Sequence, residues 1–245
     1  MWRSQELALR LVAAVLFTLV SGLATAQPVP YRGVPGGDAW VAGEFASAYH
    51  QAVAVDTAAA QLLASRAACD QAVYIETTTG AAPEWLRLAE AAAQRALQLD
   101  PDGPVAASAA MALARAKGEA GLHRGGLANA RLPGELRTLF ERTLELDPEN
   151  ADALVAYSAW HFALTELGVG WLYGADRAQV LPLMERGVAA APRQLNLRVE
   201  YARVLLGLGR EAEGRDQAEI ALGLPAPTAA DEFEQARARE LLSGD

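Results

Sequence analysis

Cysteine is nearly absent, with Cys69 the only one in 245 residues. One thiol cannot close an intrachain disulfide, so the fold must be held by its core. The residue reads as a small buried apolar side chain in a helix. Lysine is equally scarce: Lys117 stands alone among 21 basic residues, the rest being arginine. The net charge is -9. An acidic chain without a basic stripe argues against nucleic acid and against an anionic membrane surface. There are three histidines, His50, His123 and His161, far apart and without a His-x-x-x-His pair. No metal site and no cofactor is expected. Gly-x-Ser-x-Gly and Gly-x-Gly-x-x-Gly are missing as well, so no nucleophile or dinucleotide motif is present. β-branched runs are rare outside the N-terminus, Thr77-Thr78-Thr79 excepted.

What is abundant is alanine, about a fifth of the chain. It is the best helix former, and it lets helices approach closely. The expected class is all-α.

Residues 1–26 read as a secretory signal peptide. Arg3 and Arg10 precede an apolar run from Leu11 to Val20, and Ala24-Thr25-Ala26 closes it. That order of charge, short apolar stretch and small-residue end is the export pattern. The run is shorter than the roughly 20 residues of a membrane span. Cleavage after Ala26 leaves a chain with no membrane span, and the expected location is the periplasm. Pro28, Pro30, Gly33, Pro35, Gly36 and Gly37 mark 27–37 as a flexible lead segment, with 38–245 as one helical repeat domain.

A phrase occurs twice in that domain: Ala96-Leu97-Gln98-Leu99-Asp100-Pro101 and Thr143-Leu144-Glu145-Leu146-Asp147-Pro148. Proline cannot continue a helix, and it pushes the residue before it out of the α region. Each copy therefore ends one helix and introduces another. The prolines Pro101, Pro148, Pro192 and Pro225 lie 47, 44 and 33 residues apart. A tetratricopeptide unit is about 34 residues, so the two longer intervals carry insertions. Counting from both ends places them near 119–132 and 168–176, each between the two helices of a unit. Pro182 falls where a second helix is expected, which predicts a late start or a kink. Thr228 or Asp231 opens a last helix through Leu242. There Asp231, Glu232, Glu234, Arg237, Arg239 and Glu240 form the exposed face of a solubilising cap.

Leu154, Tyr157-Ser158 and His161 stand at one helix's bulky and small positions. Tyr201-Ala202 and Leu205 repeat the pattern, Leu208-Gly209 ends it, and Phe140, Ala89 and Ala96 fit the partner helices. Gly43-Glu44-Phe45 with Ala48 suggests an earlier partial unit. On these positions the chain resembles the tetratricopeptide repeat (TPR) family from about residue 40 to 225. Arg198 departs from the pattern, standing where a bulky residue belongs. The run Ser158-Ala159-Trp160-His161 with Leu172-Tyr173-Gly174-Ala175 is similar to uncharacterised exported TPR proteins of Gram-negative bacteria. The resemblance implies a right-handed α-solenoid of helix-turn-helix repeats with two inter-helix insertions.

Trp160 and His161 lie on a first helix, which lines the concave groove in that family. Trp171 and Tyr173 follow in the adjoining insertion, with Arg177 just beyond. These five are the candidate partner- or ligand-binding residues, since tryptophan and tyrosine are enriched at binding hot spots. The competing expectation is packing, with Trp160 wedged between repeats and His161 semi-buried. His123-Arg124-Gly125-Gly126 is an anion-binding candidate through its backbone N–H groups, or else a plain connector. The function expected is a periplasmic, non-catalytic protein–protein interaction scaffold, its partner another protein or a peptide. The alternatives are an accessory ligand-binding protein of a solute transport system, with a closed apolar pocket near Trp160 and Trp171, and a hydrolase with an unconventional site.

Overall fold

The computed structural model describes residues 31–124 and 130–244. The expected signal peptide and the Gly125-Gly126 part of the glycine-rich loop lie outside them. Among the described residues there are twelve α-helices and no strand. In order they are α1 (Gly37–Val41), α2 (Phe45–Val53), α3 (Ala58–Asp70), α4 (Ala82–Leu99), α5 (Ala106–His123) and α6 (Leu132–Leu146). Then come α7 (Ala151–Glu166), α8 (Gly170–Tyr173), α9 (Val180–Ala190), α10 (Leu195–Gly207), α11 (Glu211–Gly223) and α12 (Ala229–Ser243). A π-helical turn, Gln71–Ile75, prolongs α3, and a 3₁₀ turn, Arg177–Gln179, leads into α9. The long helices pack on their neighbours in sequence, and α3 also meets α5, α7 meets α10, and α10 meets α12.

The Asp-Pro steps end helices as their chemistry requires. α4 stops at Leu99 and α6 at Leu146, with Asp100 at φ −145°, ψ 71° and Asp147 at φ −143°, ψ 90°. Both aspartates have left the α region, the pre-proline preference. The Asp100 carboxylate then accepts a hydrogen bond from Val105 N at 2.7 Å and organises the next start. Asn150 caps α7, accepting from Ala153 N at 3.0 Å, which satisfies one of the free N–H groups of the first turn. Pro182 is the third residue of α9, inside its first turn, where its missing N–H is harmless.

Three sequence expectations are corrected. α5 does not end near Gly118 but runs on to His123. Its extra turn is buried, with Glu119 1% exposed. A Cβ on Gly121 would stand 2.2 Å from Leu132 Cδ2, so glycine is what lets α6 start so close. Residues 31–36, part of the segment read as a flexible lead, run in turns against the core. Val34 N donates to Tyr31 O, and the Tyr31 ring meets Trp40 edge-on at 5.5 Å.

The third correction concerns the last helix. Thr228 and Asp231 do form a capping box, but Asp231 and Glu234 are 6% and 3% exposed rather than on a solvent face. The reason is that α12 returns to the beginning of the chain. Phe233 stacks on Tyr74 with ring centroids 4.8 Å apart and planes 4° from parallel, and it also faces Phe45. The Tyr74 hydroxyl donates to Glu234 Oε1 at 2.8 Å. The succession of helices thus closes on itself, and the inward faces of α3, α5, α7, α10 and α12 share one interior.

Phe233→Ala removes the stack that closes the circuit. It should lower stability by about 2 kcal/mol, below the full cost of a buried phenylalanine because the ring is only half-buried. Urea unfolding measures this, and an unchanged midpoint would show that α12 is not held by Tyr74 and Phe45.

Candidate functional site

The shared interior is charged. Its carboxylates are Asp70, Glu119, Asp152, Glu200, Asp231 and Glu234, all under a tenth exposed. Its arginines are Arg66 on α3, Arg115 on α5, Arg203 on α10 and Arg237 on α12. Buried charges are tolerated only when paired, and pairs are present. Arg115 Nη2 meets Asp70 Oδ1 at 2.7 Å, and Trp40 Nε1 donates to Asp70 Oδ2 at 2.7 Å. Arg203 pairs with Glu200, and Arg237 with Glu234 at 3.0 Å. Gln194 donates to Asp152 Oδ1 at 2.7 Å.

The carboxylates exceed the arginines, and the excess is relieved by protonation. Burial pushes Glu119 up to about 8, against the pull of Arg115 and Arg237. It pushes Asp152 up to about 7, against Arg66 and the Gln194 amide. Burial also raises the Cys69 thiol to about 12, leaving it inert as a nucleophile.

Where α3, α5 and the start of α7 meet, a cavity of about 40 Å³ remains, lined by Tyr31, Ser65, Arg66, Arg115 and Asp152 among others. The Arg66 guanidinium lies over the Trp40 ring at 5.1 Å. Its Nε is 3.9 Å from Asp70 Oδ2, and Nε and Nη2 find no hydrogen-bond partner among the described residues. Ser65 Oγ is likewise buried without a hydrogen bond there, and the buried Tyr31 Oη lies beside the Arg66 guanidinium. Tyr31 sits at φ 66°, in the left-handed region that a non-glycine residue seldom occupies. No local pattern announces these residues: Arg66 looks like any helix-face arginine, and Tyr31 lies in a Pro/Gly-rich lead.

The five sequence candidates are divided by the structure. Trp160 is 2% exposed and donates through Nε1 to Pro133 O at 3.1 Å. His161 is 4% exposed, and its Nδ1 accepts from Asp176 N at 2.9 Å. Burial holds that imidazole down at about 4, against the nearby Asp176, so it is neutral at physiological pH. Trp171 is 79% exposed and Leu172 56%. Tyr173 is half-buried, its hydroxyl donating to Ala130 O at 2.9 Å, and Arg177 pairs with Glu166. The cavity reaches the start of α7, the helix that carries Trp160 and His161, but none of the five lines it, and its polar walls differ from the apolar pocket expected near Trp160 and Trp171. Among the described residues no group of three His, Cys, Asp or Glu side chains converges as a metal site would require. No family model matches the chain, and no curated protein does.

The buried acids fix a pH dependence. Glu119 binds a proton in the folded state that it releases near 4.5 when unfolded, so its contribution is present at low pH and is lost as pH rises toward about 8. Asp152 acts in the same sense up to about 7. His161 acts oppositely, with stability lost as pH falls from 6.5 toward 4. Urea midpoints should therefore fall between about pH 6 and about pH 9, and Glu119→Gln, which keeps the neutral form, should flatten that fall. An identical slope in the variant would mean that Glu119 is ionised in the fold.

Proposed function

We propose that this chain is an exported, non-catalytic interaction protein of the tetratricopeptide type, a right-handed solenoid that binds another protein or a peptide. The observation that carries the reading is the exposed Trp171–Leu172 pair. A tryptophan 79% exposed is unusual, and this one is held on a firm mount. Arg137 donates to Tyr173 O at 3.1 Å, Tyr173 to Ala130 O, and Asp176 N to His161. A large side chain presented on an ordered turn loses little conformational entropy on binding. In this reading Trp160 and His161 serve the contact indirectly, by fixing the turn that carries Trp171. Helix pairs α3–α4, α5–α6, α7–α9 and α10–α11 supply the repeats, with α12 as the last element. The partner contact lies on the insertion edge, because the inward faces are buried.

A second reading, the accessory ligand-binding protein of a solute transport system, is favoured by one feature. That feature is the cavity beside Arg66, whose donors are unmatched.

The scaffold reading is tested by replacing Trp171 with a photo-crosslinking residue in cells and mapping the adducts. A single cross-linked protein lost on Leu172→Ser supports it. Trp171→Ala should change stability by less than about 0.5 kcal/mol, whereas Trp160→Ala should cost about 3–5 kcal/mol. Adducts that ignore Leu172→Ser, or no adduct at all, would reject this edge as the contact.

A further inference from the structure

We infer that the interior cavity is a binding site for a small carboxylate, with Arg66 as its principal anchor. The inference rests on the ligand-binding reading and names the ligand class. It starts from the atoms that are left over. A guanidinium presents Nε and one terminal nitrogen as a side-on fork matched to the two oxygens of a carboxylate. In Arg66 that fork, Nε and Nη2, is without a hydrogen bond among the described residues, although the side chain is only 10% exposed. The guanidinium carbon lies over the Trp40 ring, 5.1 Å from its centroid. This cation–π contact and the nearby Asp70 carboxylate hold the group beside the cavity before any ligand arrives. An unmatched buried donor costs roughly 1–3 kcal/mol, a cost that a bound oxygen acceptor would relieve.

The surroundings suit the same ligand. Tyr31 and Ser65 line the cavity with their hydroxyls: Ser65 Oγ is buried without a hydrogen bond among the described residues, and Tyr31 Oη lies beside the Arg66 guanidinium, so both can donate to a carboxylate oxygen held there. The charges facing it are Arg66, Arg115, Asp70 and Asp152. Asp70 is committed to Arg115 and Trp40. Asp152 is the one carboxylate on the cavity wall, and burial favours its neutral form. The local balance thus admits one negative charge. Size narrows the class further. One water needs roughly 10–15 Å³ of such space, so about 40 Å³ takes about three or four non-hydrogen atoms, the size of formate or acetate.

The probe is acetate, titrated into the mature chain at constant ionic strength, with chloride and inorganic phosphate as comparisons. The readouts are the melting temperature and the line width of ¹³C-acetate. Saturable binding of acetate, weakened at least tenfold by Arg66→Gln and about threefold or more by Tyr31→Phe, is the expected result. Arg66→Lys should not restore it, since an ammonium has no fork. Arg66→Gln also strips a cation from beside buried Asp70, so a second variant avoids that pair. Ser108→Leu fills the cavity from α5 and should abolish the acetate response with the fold retained. Acetate binding that survives Ser108→Leu, or a response no different from chloride, overturns the inference. Saturation by phosphate but not acetate also overturns it, yet leaves the ligand-binding reading standing. That reading fails separately, when native mass spectrometry finds no small molecule of any class on protein taken from its own cell envelope.

Discussion

Everything inside this molecule depends on the neutralisation of Asp70. Its side chain has no exposure to water, and its two oxygens are met by Arg115, Trp40 and, at longer range, Arg66. Those partners come from α5, α1 and α3, so one carboxylate ties three helices to a common centre. Breaking a buried pair by removing one member typically costs about 3–5 kcal/mol, because the survivor stays desolvated. The constraint spreads outward. Arg115 faces Glu119, Glu119 faces Arg237 and Glu200, and Arg237 is fixed by Glu234. The charge cluster is therefore continuous from the second helix pair to the last helix, and none of its members can be placed without the others.

That continuity explains the use of arginine. A buried lysine surrenders its proton readily, whereas a guanidinium stays charged and spreads its donors over several acceptors. The only lysine, Lys117, is kept toward the surface, between Glu90 and Glu135. Inside, burial raises the carboxylates Glu119, Asp152 and Asp231, while Arg66, Arg115 and Arg237 hold their protons more firmly than usual beside acidic neighbours. The interior thus adjusts its charge by holding protons on acids, not by releasing them from bases.

The local grammar of the fold was legible in the chain. The Asp-Pro steps at 100 and 147, the late start of α9 at Pro182 and the Thr228 cap all follow from nearest-neighbour chemistry, which acts over one helical turn. The destination of α12 was not. Asp231, Glu234 and Arg237 look like a solvated face until Tyr74, 160 residues earlier, is known to meet Glu234. Burial of charge depends on the other partner, and sequence spacing carries no trace of it. The bulky candidates show the opposite confusion. Trp160 and Trp171 have equal weight as letters, but one fills a helix interface and the other stands in solvent. Arg66 and Tyr31 were invisible for a third reason, since a vacancy in a hydrogen-bond pattern exists only once the surrounding helices are placed.

A stack of helical repeats with free ends can lengthen or shorten by one unit, because each unit touches only its neighbours. Here the last helix lies against α2 and the turn that prolongs α3, through Phe233, Phe45 and Tyr74. Insertion of a further helix pair would carry α12 away from its seat and expose Glu234 without its Tyr74 partner. The number of helices is therefore locked by geometry, and change in length is channelled into the links between them.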